Sequence, residues 1–224
     1  LELFIARRIA HNGSGNRPGV MVRIAVVAVA LSVTVMILAL AVIMGFKREI
    51  TDRVTGFSAQ VEVADLRSAG SIESVPVLRS EQLERTIRSA GEVVRLTPYA
   101  VKGGVVKMPD AILGVMLKGV DGGYEWSFFR DHLLEGELPR VGDSIRTKEI
   151  LISRSVAQEM GLAPGDKVEM LFVESEKSPR RDRFKVSGIY ATGMDEFDRS
   201  VAMTDLRNVQ RLADWSSDEV SGYE

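Results

Sequence analysis

The feature that most constrains this chain is an apolar stretch close to its N-terminus. Residues 24–46 contain no charged side chain, and their only hydroxyl groups belong to Ser32 and Thr34. As an α-helix the stretch would be about 34 Å long, enough to cross the roughly 30 Å hydrocarbon core of a bilayer. A cleaved signal peptide is the alternative, but its apolar segment is only about 7 to 15 residues long. We therefore predict a transmembrane helix over residues 24–46.

The charges that flank this stretch indicate its orientation. Before it, Arg7, Arg8, Arg17 and Arg23 stand against a single acidic residue, Glu2. Cytoplasmic flanks of membrane helices are enriched in Lys and Arg, so we predict that residues 1–23 form a cytoplasmic basic helix and loop. The domain that follows the apolar stretch then lies on the non-cytoplasmic side of the membrane. Basic residues at positions 47, 48 and 53 weaken this asymmetry.

Helical periodicity continues past the apolar stretch. Phe46, Ile50, Val54 and Phe57 recur three or four positions apart, and Gly56 favours a helix end. We therefore predict that residues 47–57 form a stalk. A rigid stalk can transmit movement from the membrane to an outer domain.

The remaining sequence has the composition of a mixed strand and helix domain. The predicted strands cover residues 59–64, 93–99, 101–108, 111–120, 149–153, 167–173, 183–190, 200–203 and a segment that begins at 219. Helices are expected after caps at Ser80 and Thr204 and around residues 156–160. Pro98 and the pair Gly103 and Gly104 are expected to separate two of the strands.

Two other segments stand out. Trp126, Phe128 and Phe129 begin the densest aromatic and aliphatic cluster outside the apolar stretch. We interpret this cluster as a short helix and turn that packs a second small core, because large apolar side chains are mostly buried; an exposed binding patch is the alternative. Residues 174–182 are predicted to be a charged hairpin loop.

The composition argues against several kinds of function. A net charge of −2 over 224 residues does not indicate a surface that binds nucleic acid. Because the chain contains no cysteine, disulfides and thiolate sites are excluded. No phosphate-binding glycine motif for ATP is present. Asp195, Glu196 and Asp198 lack the spacing of a calcium loop and are interpreted as a solvated turn, and His132 has no nucleophile motif nearby. We therefore predict no catalytic, metal or cofactor site.

An ordered set of short segments resembles a known family of permeases. The set consists of MGFKREI at 44–50, GVD at 119–121, LEGEL at 134–138, ISRSVA at 152–157, GLAPGDKV at 161–168 and VSGIY at 186–190. This pattern resembles the permease subunits of the lipoprotein-releasing LolC and LolE type, which are related to the FtsX and MacB permeases. The resemblance extends over nearly the whole chain.

The resemblance implies an α+β fold in which one N-terminal transmembrane helix is followed by a large periplasmic domain. In this family four helices span the bacterial inner membrane, and the domain lies between the first two. Here a porter-like βαβ subdomain would comprise residues 58–120 plus 204–224, and an inserted, mostly β, Sabre-like subdomain would comprise residues 121–203. The chain would then hold the first span and the periplasmic domain.

The resemblance also implies a function and partners. The chain would be a non-catalytic permease subunit of an ABC transporter, with ATP bound by a separate ATPase subunit and a second permease subunit completing a homodimer or heterodimer. Its substrate would be a lipoprotein or another amphipathic molecule. Transmission would pass through Gly45, Phe46, Lys47, Ile50, Val54 and Phe57. The alternative is a single-span anchored module that regulates a cell-envelope partner, as FtsX-like proteins do.

The hairpin departs from the LolC pattern. In that branch the corresponding loop carries a longer hook that binds a periplasmic carrier, whereas residues 174–182 are short here and contain no large apolar side chain. Capture of a carrier by this chain is therefore in doubt. The basic residues of the segment form a candidate partner surface, with a solvated hairpin tip as the alternative: Lys177, Arg180, Arg181 and Arg183.

Overall fold

A computed structural model describes residues 18–57, 59–68, 74–91, 93–108, 111–142, 145–174, 177–194 and 198–224. The chain divides into two compact units, Leu1–Arg53 and Val54–Glu224. The predictions made for residues 1–17 lie outside the described residues.

Helix α1 runs without interruption from Pro18 to Phe57. Its 40 residues correspond to a length of about 60 Å. Of the described residues, this helix alone is long and apolar enough to cross a membrane. The large apolar side chains of the stretch are exposed on all sides, and Thr34 Oγ1 donates to the carbonyl of Ala30 at 2.8 Å, which satisfies its hydroxyl within the helix. Such a surface is stable in a lipid environment.

The second unit contains short helices and many strands, so the α+β prediction is confirmed. The strands are β1 Val63–Ala64, β2 Val77–Leu78, β3 Pro98–Lys107, β4 Ile112–Val120, β5 Leu133–Gly136, β6 Glu149–Ser153, β7 Lys167–Glu174, β8 Lys177–Tyr190, β9 Val201–Asp205, β10 Glu219–Val220 and β11 Gly222–Tyr223. The helices are α2 Glu81–Ser89, α3 Ser127–Asp131, α4 Arg154–Met160 and α5 Leu206–Leu212.

Most strands belong to one nine-stranded sheet with the order β1-β11-β3-β4-β9-β6-β8-β5. Strand β7 pairs with both β8 and β3, so that β3, β4, β9, β6, β8 and β7 form a closed ring of pairings. The β4–β9 and β6–β8 pairs are parallel and the other pairs of the ring are antiparallel. Closure of the ring leaves few exposed strand edges.

Strand β1 follows α1 and pairs with β11, which lies far from it in the sequence. Val63 lies opposite Tyr223, and Ala64 opposite Gly222, in antiparallel register. A side chain at Gly222 would approach the carbonyl oxygen of Val63 to 2.3 Å, so only glycine allows this close pairing. Strands that are far apart in the sequence are therefore neighbours in the sheet.

Two buried clusters occupy opposite faces of the strands. In β6, Ile150 and Ile152 belong to the larger cluster and Leu151 to the smaller, as expected from the alternation of side chains along a strand. Helices α4 and α5 cover the larger cluster. The aromatic residues around α3 cover the smaller one, which confirms the second core predicted for this segment.

Several local predictions are confirmed. Ser80 caps α2, where its hydroxyl accepts the amide of Leu83 at 3.1 Å. Strand β6 has the predicted bounds, and α4 ends at Gly161, which adopts the left-handed conformation that favours glycine. The cap of α5 was wrong by one residue: the Asp205 carboxylate accepts the amide of Arg207 at 2.9 Å, and the Thr204 hydroxyl donates to the carbonyl of Glu149.

Three strand predictions were wrong in their bounds. Strand β3 continues through the expected break, because Pro98 is the first residue of the strand and Gly104 makes room for Phe172, whose ring lies 2.7 Å from the position of an added Cβ. Residues 177–182 are strand instead of loop. Strand β1 covers only the end of the predicted segment 59–64, where Val63 and Ala64 pair with Tyr223 and Gly222.

The division into a porter-like and a Sabre-like subdomain stays a prediction. Strands from both predicted segments pair within one sheet, through β4 with β9 and β3 with β7.

Candidate functional site

The predicted stalk residues lie in one continuous helix. Phe46, Ile50 and Val54 remain 68%, 45% and 39% exposed, and a Cβ at Gly45 would meet no other atom within 4 Å. Lys47 follows in the same helix, whose last residue is Phe57; the side chain of Phe57 lies outside the described part. The predicted helical continuation over 47–57 is therefore confirmed, and the role of these residues in transmission stays a prediction.

The last turn of α1 belongs to the second unit and contacts the aromatic cluster there. A Cβ at Gly56 would lie 2.2 Å from Cδ2 of Phe128, so the glycine lets the helix backbone approach the ring directly. Sequence reasoning identified both residues but did not bring them together. Two features of the sequence pointed towards this contact: Gly56 stands at the end of a helical pattern, and the aromatic cluster had no assigned packing partner.

Phe128 connects this contact to the smaller core. Its ring packs edge to face against Phe129, with centroids 5.5 Å apart, and Phe129 packs in the same way against Tyr190 of β8 at 5.1 Å. Phe129 is fully buried, and the hydroxyl of Tyr190 donates to the carbonyl of Val201 at 2.9 Å. A continuous path of packed groups therefore runs from the end of α1 to strands β8 and β9.

A buried ion pair lies near the end of the domain. The Lys118 ammonium of β4 contacts both carboxylate oxygens of Glu224 at 2.6 and 2.8 Å, and the side chains are 6% and 11% exposed. The ammonium also lies 5.6 Å from the ring centre of Tyr99 and 5.9 Å from that of Tyr124. Burial, together with the charge of Glu224, raises the pKa of the Tyr124 hydroxyl. The pair joins the residue that follows β11 to the centre of the sheet.

The basic hairpin residues are engaged within the domain. Arg180 forms a two-pronged ion pair with Asp214 at 2.5 and 2.6 Å. On the outer face of the hairpin, Arg181 and Arg183 both contact Glu169, at 3.6 and 3.2 Å. The side chain of Lys177 lies outside the described residues. Arg180 therefore makes a structural contact, and a partner role for Lys177, Arg180, Arg181 and Arg183 stays a prediction.

Asp182 anchors the hairpin to its neighbours. Its buried carboxylate accepts from Lys148 and, at 3.0 Å, from Arg211 of α5. Burial opposes the charged form, but hydrogen bonds from Lys148 and from the backbone amide of Arg183 outweigh it and lower the pKa of Asp182. The folded state therefore favours the ionised carboxylate more than the unfolded state does.

We expect this preference to make part of the stability dependent on pH. Because the folded-state pKa lies below the unfolded value, the contribution is present above about pH 4 and is lost as the pH falls through the folded-state pKa. Asp182→Asn should lower the free energy of unfolding at pH 7 by about 1–3 kcal/mol. Urea unfolding followed by tryptophan fluorescence measures this. The difference between variant and wild type should shrink at acid pH; a constant difference from pH 7 to 3 would contradict the assignment.

The other sequence candidates have structural explanations. The solvated turn predicted for this segment was wrong at Asp198, which is buried. Its carboxylate accepts the amides of Thr192 and Gly193 at 3.1 Å and the hydroxyl of Thr192 at 2.8 Å, and so orders its own loop. Asp195 and Glu196 lie outside the described residues. Nδ1 of His132 lies 2.8 Å from the carbonyl of Phe128. Within the described part of the chain, no three His, Cys, Asp or Glu side chains are grouped to hold a metal ion.

The described residues combine one helix that is long and apolar enough to cross a membrane with an α+β domain. A match to the family described as the MacB-like periplasmic core domain covers residues 24–222. The chain therefore belongs to the MacB-like periplasmic core domain family.

Curated relatives agree with this assignment. The chain is 27% identical over 182 residues to the lipoprotein-releasing system transmembrane protein LolC of Xylella fastidiosa (strain Temecula1), and 25% identical over 181 residues to LolC of Neisseria meningitidis serogroup B. Each match covers 77% of this chain and 41% of the relative. The chain thus spans about two fifths of the length of these relatives.

Two solved structures also match part of the chain. The extracellular domain of the noncanonic ABC-type transporter YknZ from Gram-positive bacteria is 14% identical with a TM-score of 0.44, covering 72% of this chain and 78% of that one. The periplasmic region of MacB from Actinobacillus actinomycetemcomitans is 14% identical with a TM-score of 0.45, covering 72% and 70%.

Proposed function

We propose that this chain is part of a permease subunit of an ABC transporter in a bacterial inner membrane. Helix α1 spans the membrane with its N-terminus in the cytoplasm, and the domain that follows lies in the periplasm. The match of residues 24–222 to the MacB-like periplasmic core domain family carries the proposal. The long apolar helix α1 supports a location in a membrane.

The chain itself performs no chemistry in this function. A separate ATPase subunit binds and hydrolyses ATP, and a second permease subunit, identical or related, completes the transporter. Movement of α1 is passed through Gly56 to Phe128 and from there through Phe129 to β8 and β9. The similarity to LolC supports a lipoprotein or another amphipathic molecule as the substrate.

The contact between Gly56 and Phe128 gives the most direct test. Gly56→Ala places a methyl group inside the van der Waals radius of the ring, which should cost about 1–3 kcal/mol of strain at the joint. We expect the full-length transporter to retain basal ATP hydrolysis but to lose most ATP-driven release of a lipoprotein from proteoliposomes. Combining Gly56→Ala with Phe128→Leu, which removes the ring edge, should restore part of the release.

Two further variants control this experiment. Gly19→Ala adds the same methyl group to the same helix at a position with no atom within 4 Å, so release should be unchanged. Ile50→Pro breaks the helix between membrane and domain and should abolish release. If Gly56→Ala and Ile50→Pro both release lipoprotein at the wild-type rate, the helix does not transmit the movement.

The full-length reading frame tests the wider assignment. A permease of this kind predicts three more apolar runs of about twenty residues after Glu224, together with co-purification of an ATPase subunit. A frame with no further apolar run and no ATPase partner would support the FtsX-like anchored regulatory module instead.

A further inference from the structure

The strands β6, β7 and β8 border an open cleft of about 400 Å³ whose walls are mostly basic. Its charged lining residues include a single acid, Glu149; the basic ones are Arg140, Lys148, Lys167, Arg183 and Lys185. This concentration of positive charge contrasts with the net charge of −2 of the whole chain. Neither Gly56 nor Phe128 is among the residues that line the cleft.

Three of these cations already have carboxylate partners. Arg140 contacts Glu149 at 2.7 Å, Arg183 contacts Glu169 at 3.2 Å, and Lys148 contacts Asp182. Hydrogen bonds from Arg140, with a smaller contribution from the charge of Lys185, lower the pKa of Glu149 against the effect of its burial. These ion pairs account for three of the five basic side chains that line the cleft.

Lys167 and Lys185 are the two remaining cations. They lie directly opposite each other in the antiparallel β7–β8 ladder, and among the described residues neither has a carboxylate within 4.0 Å. Like charges placed directly across a strand pair are destabilising. The backbone amide of Lys185 donates to the carbonyl of Lys148 at 2.8 Å, so the backbone of a third lysine lies beside Lys185. On the other side of β8, Lys185 lies opposite Glu149 of β6, a carboxylate that Arg140 already contacts. The fold thus places two lysines opposite each other, and the nearest acid of the cleft is shared between Lys185 and Arg140.

We propose that Lys167 and Lys185 form a binding site for a phosphate group that carries about two negative charges. Two ammonium groups match the charge of one phosphate monoester, which is about −1.5 to −2 at neutral pH. Lysine contacts phosphate as a point charge and does not need the fixed geometry of the arginine fork. The open cleft has room for a phosphate group attached to a larger molecule. A free phosphate and the head group of an anionic lipid share this chemistry.

The experiment measures phosphate binding to the full-length protein in nanodiscs of phosphatidylcholine. Equilibrium dialysis with radiolabelled inorganic phosphate, at constant ionic strength, gives the affinity. We expect saturable binding with one site per chain, weakened about tenfold by Lys167→Gln or by Lys185→Gln and abolished by both together. Lys167→Gln should also raise the melting temperature without phosphate, since it removes the repulsion between the two lysines and no contact with a carboxylate.

Lys107→Gln is the matched control, since Lys107 is an exposed lysine at the end of β3 that does not line the cleft. It should leave phosphate binding unchanged. Equal weakening by Lys107→Gln, or no saturable binding to the wild type, overturns the site. Nanodiscs that include phosphatidic acid distinguish the sources: displacement of bound phosphate supports a lipid head group, and undiminished binding supports a soluble phosphate ligand.

Discussion

Phe129→Ala should lower the free energy of unfolding of the domain by about 3–5 kcal/mol. Phe129 is fully buried and lies among the rings of Tyr124, Trp126, Phe128 and Tyr190, with centroids between 5.1 and 6.4 Å away. Removal of the ring leaves a cavity in a cluster of aromatic side chains that cannot collapse without losing their mutual contacts. Chemical denaturation in detergent, followed by near-ultraviolet circular dichroism, measures the loss.

Phe129→Leu is the control for this prediction. It keeps an apolar side chain of similar reach, so the loss should be clearly smaller than that of Phe129→Ala. Phe128→Ala, at a partly exposed position in the same helix, should also cost less. If Phe129→Ala and Phe129→Leu unfold at the same denaturant concentration as the wild type, the smaller core does not stabilise the domain.

Lys118→Met should lower the free energy of unfolding by a similar amount, about 3–5 kcal/mol. The substitution keeps the apolar length of the side chain but removes the ammonium group that contacts both oxygens of Glu224. A carboxylate that is 11% exposed is then left without this partner, and the energetic cost of its burial is no longer offset. The same denaturation measurement applies.

Removing the second charge separates the ion pair from simple packing. The double variant Lys118→Met and Glu224→Gln contains no buried charge at this position, and it should recover a large part of the lost stability. Lys107→Met, at the exposed end of the neighbouring strand, should change stability by no more than about 0.5 kcal/mol. Additive losses in the double variant would show that the two charges do not interact.

The sequence was sufficient to predict elements that local chemistry determines. The long helix α1 follows from the length of an apolar run, and α2 follows from the Ser80 cap and its spacing. The end of α4 follows from Gly161, and β6 from a short run of β-branched and apolar residues. Each of these signals depends on residues a few positions apart, so no knowledge of the tertiary structure was needed.

The errors arose where a distant partner decides the conformation. Gly104 has the sequence signature of a break, but it lies within β3 because Phe172 of β7 occupies the space beside it. Asp182 interrupts the apolar alternation of β8, and the interruption is compensated by Lys148 and Arg211, which are far away in the sequence. A prediction from one sequence contains no information about such partners.

In the candidate site, too, contacts within one element could be predicted from the sequence, whereas contacts between distant segments could not. The continuity of the helix through Lys47 and Ile50 was predictable, because it depends on periodicity within one element. The contact of Gly56 with Phe128 was not, because it joins residues from separate segments. The opposition of Lys167 and Lys185 required the register of β7 against β8, and the sequence pattern placed part of β8 in a loop.

The pairing of β1 with β11 also delays the formation of the sheet during synthesis. Val63 emerges from the ribosome early, but its partner Tyr223 follows only after the intervening strands. The parallel pairing of β4 with β9 imposes a similar delay. Pairings between distant residues close slowly, because the intervening chain must first be ordered. Strand β1 therefore lacks its partner until Tyr223 has been translated, and β4 lacks β9 until Val201 has been translated, so both strands expose an edge to chaperones in the meantime.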